Sequence, residues 1–323
     1  MSSPDSDQIN NQIMVSRYEE TIGDYTQSAN SLFHYMDKEK FLKDALSNKA
    51  LFPRYFIEDI SYLHINRNEK TFDRIAVLGK CFCDIRLYNL VKNSTIEPKS
   101  HKIQREEGIT SIYERNNGHL NYYGKFALAL SKEWGEKNGV QPVHYINEYS
   151  PYAKKISETI NRDLKNKNTP KWRSSDILYQ LALMKPLRGK FKIADNEGVP
   201  KKEIPKNFHD EQEWRYIPEH EKIDKYNNYK IGLIIANPHS LEERELNLRS
   251  EAIKKKQYSD LWLKFEYSDV RYLIVPNNQS KQNLIKHIIS MPSNNNSESG
   301  DLIQEKYNLI SKILVLNEII QDW

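Results

Sequence analysis

Apolar and polar positions alternate with a period of two through Ser31-Leu32-Phe33-His34-Tyr35-Met36, the spacing of a β-strand. Asp37 then stands where a helix N-cap would, and Phe41, Leu42, Ala45 and Leu46 recur at helical spacing. Pro53 forbids continuation of that helix, so Arg54 is expected on an irregular segment. Further strands are expected over Ile75–Asp84, Tyr122–Leu130, Pro142–Ile146, His209–Pro218, Tyr229–Ala236, Leu261–Phe265 and Arg271–Pro276. Between them, Ser131 is positioned to cap a short helix through Trp134. Ser150-Pro151 opens a longer one, with Tyr152, Ile156, Ile160 and Leu164 on one face. Ser175 is expected to cap the next helix, and Ser240-Leu241-Glu242-Glu243 has the form of a capping box. A helix through Ile285 and Ile289 follows, and an amphipathic helix is expected from Asp301 to Ile320.

This order of strands and helices implies an α+β fold, with a mixed or antiparallel sheet split into two halves and flanked by helices. The domain boundaries follow from composition. Residues 1–29 are polar and predict a flexible arm, 30–290 form one α+β domain, and 291–323 hold an Asn/Ser linker and the last amphipathic helix. Residues 91–119 are polar and charged and suggest an insertion.

Composition narrows the possible functions. Hydrophobic residues are 38% of the 323, enough for a packed core, and 20 tyrosines and 10 phenylalanines supply large apolar area. A net charge of +4 does not by itself indicate nucleic acid. Cys81 and Cys83 share one face of a strand and are expected to be reduced core residues, which fits a reducing compartment. A zinc site would need two further ligands that no nearby spacing supplies, so no metal is expected. The first twelve residues lack the pattern of a signal peptide, and the apolar run at Ile231–Ala236 is too short to span a bilayer. A cytoplasmic location and no membrane contact are expected. The chain has no phosphate-binding G-x-x-x-x-G-K-[ST] loop, no G-x-G-x-x-G, no H-E-x-x-H and no G-x-S-x-G. With 11 glycines, a nucleotide would have to be held by side chains and aromatic stacking.

Candidate chemistry centres on Glu213. It shares one face of its strand with Arg215 and Ile217, while Trp214 and Tyr216 take the other. Glu213 and Arg215 are either surface charges on an edge strand or part of a pocket in which Glu213 accepts a proton or holds a hydroxyl. Glu211 would lie beside it and raise its pKa by like-charge repulsion. His34, at the end of a strand, is either a structural histidine or a ligand contact. Arg54 is either a surface arginine or a bidentate anion binder. Asp84, also at a strand end, is either a helix cap or part of the site. From Arg162 to Lys206, twelve Lys or Arg stand against five Asp or Glu. That stretch is a solvated face or a nucleic-acid surface, with Trp172 and Phe191 available for stacking on bases.

Several of these segments occur in an order that resembles the AbiGi family of bacterial abortive-infection proteins. They are Leu32-Phe33-His34-Tyr35, Leu51-Phe52-Pro53-Arg54-Tyr55, Cys81-Phe82-Cys83-Asp84-Ile85, Tyr123-Gly124 with Leu130-Ser131-Lys132-Glu133-Trp134, Pro142-Val143-His144-Tyr145, Asp210–Tyr216 and Asp269–Val275. The resemblance implies phage defence, in an antitoxin partnered with a nucleotidyltransferase-like toxin. A more distant likeness is to DarT-type ADP-ribosyltransferases, which place a strand-end histidine, an arginine-bearing loop and a late glutamate in the same order. It implies an NAD-dependent ADP-ribosyltransferase that modifies nucleic acid or protein. Glu213 and Arg54 would be catalytic, and His34, Tyr35 and Tyr123 would contact NAD. Lys201, Lys202, Lys206 and Glu211 would face a DNA or RNA acceptor. The alternative is an inactive antitoxin or sensor that binds a partner toxin or nucleic acid.

Overall fold

The computed structural model describes residues 29–67, 70–87, 123–166, 171–194, 200–226, 231–292 and 299–322. The expected N-terminal arm, the polar insertion at 91–119 and most of the Asn/Ser linker therefore lie outside the described residues.

The first strand, β1 (Ser31–Met36), leads into α1 (Glu39–Asn48). Lys38, not Asp37, takes the N-cap position, and no side chain caps that helix end. The helix ends at Asn48, where Lys49 turns left-handed with φ of 45°, well before Pro53, and Arg54 begins a regular strand, β2 (Arg54–Asp59), and not an irregular segment. The long strand β3 (Arg74–Cys83), then β4 (Phe126–Ser131) and α2 (Lys132–Lys137) follow. Ser131 caps α2 as its spacing predicts, its hydroxyl accepting from the Trp134 amide.

Two short strands, β5 (Gln141–Pro142) and β6 (His144–Ile146), replace the single one expected there. Helix α3 (Pro151–Lys165) opens as predicted on Ser150, whose hydroxyl accepts from the Ala153 amide. Helix α4 (Lys171–Ala182) starts before Ser175, which sits inside it. Next come β7 (Met184–Pro186) and a hairpin, β8 (Arg188–Ala194) with β9 (Pro200–Asn207). A 3-10 turn over Phe208–Glu211 precedes β10 (Glu213–Tyr216), so the expected strand at 209–218 is shorter. In the next segment only β11 (Ile234–Ile235) is strand. Helix α5 (Glu243–Ile253) has Glu242 at its N-cap, and Ser240 belongs to a preceding 3-10 turn.

The chain ends with β12 (Val270–Val275), α6 (Asn278–Ser290), α7 (Ser299–Ser311), β13 (Ile313–Val315) and α8 (Leu316–Asp322). The expected last helix is thus interrupted. The β-favouring run Ile313-Leu314-Val315 pairs in parallel with Leu273-Ile274-Val275, and tertiary pairing overrides the helical period.

The main sheet runs β13-β12-β4-β1-β3-β10-β5, with β2 and β11 also pairing to β3. Every pair is antiparallel except β12 with β13. The expected α+β fold with a split, mixed sheet is therefore what the structure has. Strand β3 makes the split. Its first half pairs Arg74–Gly79 with β2, and its second half pairs Lys80–Cys83 with β10. It meets β1 at one register pair, Phe33 opposite Cys83.

Three apolar clusters follow this division. One lies under β2 and the first half of β3, reaching Ile160, Leu181 and Leu261. A second holds Leu32, Met36, Phe82, Trp134 and Leu273, covered by α1 and α6. A third joins Phe33, Tyr35, Cys83, Ala127 and Ala129 on the opposite face of β1 and β4.

Gly124 enters β4 with φ of +108°, and a Cβ there would meet the Met36 carbonyl oxygen at 2.1 Å. Both the dihedral and the close approach need glycine. Gly124→Ala is expected to lower unfolding free energy by at least about 1–3 kcal/mol, read as a shift in the urea midpoint at unchanged slope.

Candidate functional site

Strand alternation builds the most polar site in the fold. On β10, Glu213 lies opposite Cys83 and Arg215 opposite Cys81, so these four side chains share one face. The small thiols leave room beside the long charged side chains, which accounts for the C-x-C spacing. Trp214 lies opposite Phe82 on the other face, in the apolar cluster under α1. Glu213 is not a surface residue on an edge strand, because β10 is flanked by β3 and β5 and Arg215 is 0% exposed.

Three cations and three carboxylates meet here and pair with one another. The Arg215 guanidinium donates from Nε to Glu213 Oε1 at 2.6 Å and from Nη2 to Glu58 Oε1 at 2.5 Å. Its Nη1 donates to the Ala182 carbonyl at 2.8 Å. Lys185, on β7, donates to Glu211 at 2.6 Å and to Glu213 at 2.7 Å. Lys206, at the end of β9, pairs with Glu211 at 2.6 Å and donates to the Tyr123 hydroxyl at 2.7 Å. The Tyr123 hydroxyl in turn donates to Glu211. Each cation also lies over an aromatic ring: Arg215 over Phe56, Lys185 over Phe208 and Lys206 over Tyr123, at 4.7 to 4.9 Å. The geometry satisfies the condition for burying charge, which is that each ion be paired and hydrogen-bonded.

The pKa directions follow from these contacts. Burial works to raise the Glu213 carboxyl, but Arg215 and Lys185 outweigh it and hold the group well below the ordinary carboxylate range. This is the reverse of the rise expected from Glu211. Burial likewise opposes ionisation of Glu211, and Lys185 with Lys206 overcomes it, so Glu211 is lowered too. At Glu58 burial prevails over Arg215 and the pKa is raised. Lys185 keeps its proton strongly, because Glu213, Glu58 and Glu211 together overcome the burial that would strip it.

This network forms one wall of a cleft of about 540 Å3, otherwise lined by aromatic groups such as Phe33, Tyr35 and Phe208. His34 also borders that cleft, but its ring does not face Glu213. Phe33 is opposite Cys83 and so shares the Glu213 face, which puts the alternating His34 on the reverse face. There the ring packs edge-on to Phe82, with centroids 5.8 Å apart. Nδ1 lies 2.9 Å from the Cys81 carbonyl, which can only accept, so Nδ1 carries the proton of the neutral ring. Burial, then the nearby Lys80 and Arg54, push the imidazole pKa well below its ordinary value.

Arg54 lies apart from Glu213. It donates from Nη2 to Asn247 on α5 at 2.8 Å and lines a second cleft. Tyr35 and Tyr123 border both clefts. Lys201 and Lys202 fall on β9, and their side chains, like those of Trp172 and Phe191, are outside the described residues. Two of the basic stretch's cations, Lys185 and Lys206, point inward and are neutralised there, so they are not part of a solvated basic face. Asp84 caps no helix: it accepts from the Ala29 amide at 2.8 Å and pairs with Lys132 at 2.5 Å. Sequence reasoning missed Lys185 and Glu58. The signal for Glu58 is the period-two set Arg54, Phe56, Glu58 that β2 would give if it were a strand.

Among the described residues, no group of three or more His, Cys, Asp or Glu side chains is arranged to hold a metal ion. No described helix is long and apolar enough to cross a membrane. Residues 112–276 match the model of the family described as abortive phage resistance protein AbiGi, antitoxin. The abortive phage resistance protein AbiGi of Lactococcus lactis subsp. cremoris is 32% identical over 283 residues, which is 85% of this chain and the whole of that relative. No solved structure matches the chain. These findings overturn the expectation of an NAD-dependent ADP-ribosyltransferase, because the matched family is one of antitoxins. The geometry agrees with that correction: the imidazole and carboxylate of the supposed pair lie on opposite faces of the sheet.

Arg215→Met, which leaves Glu213 and Glu58 without their guanidinium, is expected to cost about 3–5 kcal/mol in chemical denaturation. Glu213 has a lowered pKa in the fold, so its contribution is complete above the unfolded value of about 4.3 and is lost as pH falls below it. Glu58, with a raised pKa, acts in the opposite sense and offsets part of that loss. The stability gap between the unmodified chain and Glu213→Gln is therefore expected to be full at about pH 6 and to narrow toward about pH 3. Urea titrations at several pH values measure it.

Proposed function

The chain belongs to the AbiGi family of abortive phage resistance proteins, and from that premise we propose that it is the antitoxin of a phage-defence pair, neutralising a cognate toxin by binding it. The family match over residues 112–276 is the observation that carries this reading. That span holds Lys185, Lys206, Glu211, Glu213 and Arg215, whose charges are spent on one another. A site of that kind suits a rigid scaffold better than a reaction centre, which needs a carboxylate or cation left over for substrate.

A binding protein also needs a surface. Ile303 and Tyr307, four apart on α7, are 54% and 61% exposed. Lys306, between them, donates to the carbonyls of Ile289 at 2.9 Å and Met291 at 2.6 Å, which brings the end of α6 against α7. Ile289, itself 59% exposed, therefore adjoins the same patch. Large apolar side chains grouped in this way at the surface mark contact sites. We assign this patch to the toxin, in keeping with the amphipathic C-terminal segment expected from the sequence.

The test is co-expression with the cognate toxin, scored by host growth and by co-purification. Growth rescue with a stable complex is expected. Ile303→Asp and Tyr307→Asp are expected to weaken the complex about tenfold or more, while the melting temperature of the free chain stays nearly unchanged. Full rescue by both variants would move the interface elsewhere. Failure of the unmodified chain to rescue growth or bind the toxin would end the antitoxin reading.

A further inference from the structure

The second cleft, of about 490 Å3, opens where β1 and β2 separate along β3. Phe33 pairs with Cys83 and Arg54 pairs with Gly79, so Lys80 lies between the two pairings. It is on the face opposite the charge network, because it alternates with Cys81 and shares the side of Phe82. Arg54, Lys80, Lys254 and His34 line the cleft from four segments of the chain.

Lys80 differs from every lysine in the network. It is half-buried, yet among the described residues its ammonium has neither a hydrogen bond nor a carboxylate within ion-pair distance. Burial, with repulsion from Arg54 and Lys254, pushes its pKa down to about 7. His34 senses the same field, its pKa being lowered by burial and then by Lys80 and Arg54. Two groups on different strands are thus buried at one place and feel the same neighbouring cations. The neighbouring cations are only partly engaged. Among the described residues Arg54 uses one N–H, on Asn247, and Lys254 pairs with Glu251 at 2.8 Å while lying over the Phe41 ring.

We propose that this cleft binds a small phosphate monoester, its phosphoryl oxygens taken by Lys80, Arg54 and Lys254 and its organic part lying against Phe41 and Phe52. A dianion suits the site better than a carboxylate, because more than one positive charge converges on it. Asp37 and Asp44 also line the cleft. Their repulsion disfavours a long polyanion threading through it and favours a ligand with a single phosphate end. The size of the cleft and its aromatic walls fit a mononucleotide. This assignment stands on other residues than the toxin contact and is independent of it.

Isothermal titration of the full chain with adenosine 5′-monophosphate at fixed ionic strength tests the proposal. Saturable one-to-one binding is expected, with inorganic phosphate competing for it. Lys80→Met is expected to weaken binding about tenfold or more. Its melting temperature without ligand should stay at or above that of the unmodified chain, since an uncompensated half-buried charge is removed. Lys137→Gln, an exposed lysine paired with Glu133, should bind as the unmodified chain does. Heats no larger than those of a chloride control, or equal affinity in Lys80→Met, would overturn the assignment. So would tighter binding of a single-stranded oligonucleotide without terminal phosphates. Should Lys80→Met not fold, acetylation of Lys80 in the unmodified chain, followed by mass spectrometry, decides the matter. It should slow severalfold in saturating phosphate, and an unchanged rate would refute the site.

Discussion

The ion pair between Arg215 and Glu213 constrains more of this fold than any other contact. A guanidinium at 0% exposure is tolerable only when every donor has an acceptor and every charge a partner. Meeting that demand draws in Glu58 from β2, the Ala182 carbonyl from the end of α4 and, through Glu213, Lys185 from β7. Glu211 and Lys206 extend the chain of pairs to the hairpin and to Tyr123. Segments far apart in sequence are thereby held in one register. An apolar core of equal volume would hold them as tightly but would tolerate sliding, whereas a missed partner here leaves a charge buried alone.

Strand β3 is where this constraint meets the apolar core. Its odd residues Cys81 and Cys83 turn to the charged network, while Lys80 and Phe82 turn to the opposite face. Exchanging neighbours half-way along lets one ten-residue strand serve both halves of the sheet. The exchange also leaves openings on either side, which is why the two clefts flank β1 and share His34, Tyr35 and Tyr123.

How far the sequence disclosed this differs from element to element. The caps at Ser131 and Ser150, the strand at Ile75–Cys83 and the split α+β sheet were legible, because side-chain spacing and local hydrogen bonds decide them. The broken last helix and the strand at Arg54 were not, because pairing with distant strands decides those. At the site, period-two alternation placed Glu213 and Arg215 together correctly, but could not tell burial from exposure, since β10's neighbours come from residues 74–83 and 141–142. His34 and Glu213 both border the first cleft, but their places on opposite faces rest on a parity that only the register of β1 against β3 fixes. Lys185 carried no signal at all: nothing local in Met184-Lys185-Pro186 marks a lysine as the counter-ion of two glutamates.

The two clefts show that the number of charged residues is a poor guide to where a ligand would go. In the first, three cations are matched by three carboxylates and by three aromatic rings, so an incoming anion would have to displace partners already in contact at 2.5 to 2.7 Å. In the second, the cations repel one another, and among the described residues no carboxylate lies within ion-pair distance of Lys80. Burial first, and then repulsion from Arg54 and Lys254, lower its pKa, because both disfavour the charged ammonium. An anion arriving there gains the attraction without first breaking a pair. By the same reasoning Glu213, first singled out as a candidate proton acceptor beside Glu211, has both carboxylate oxygens already engaged by Arg215 and Lys185. Lys80, which the sequence reading passed over in favour of Cys81, Cys83 and Asp84, has no such partner among the described residues.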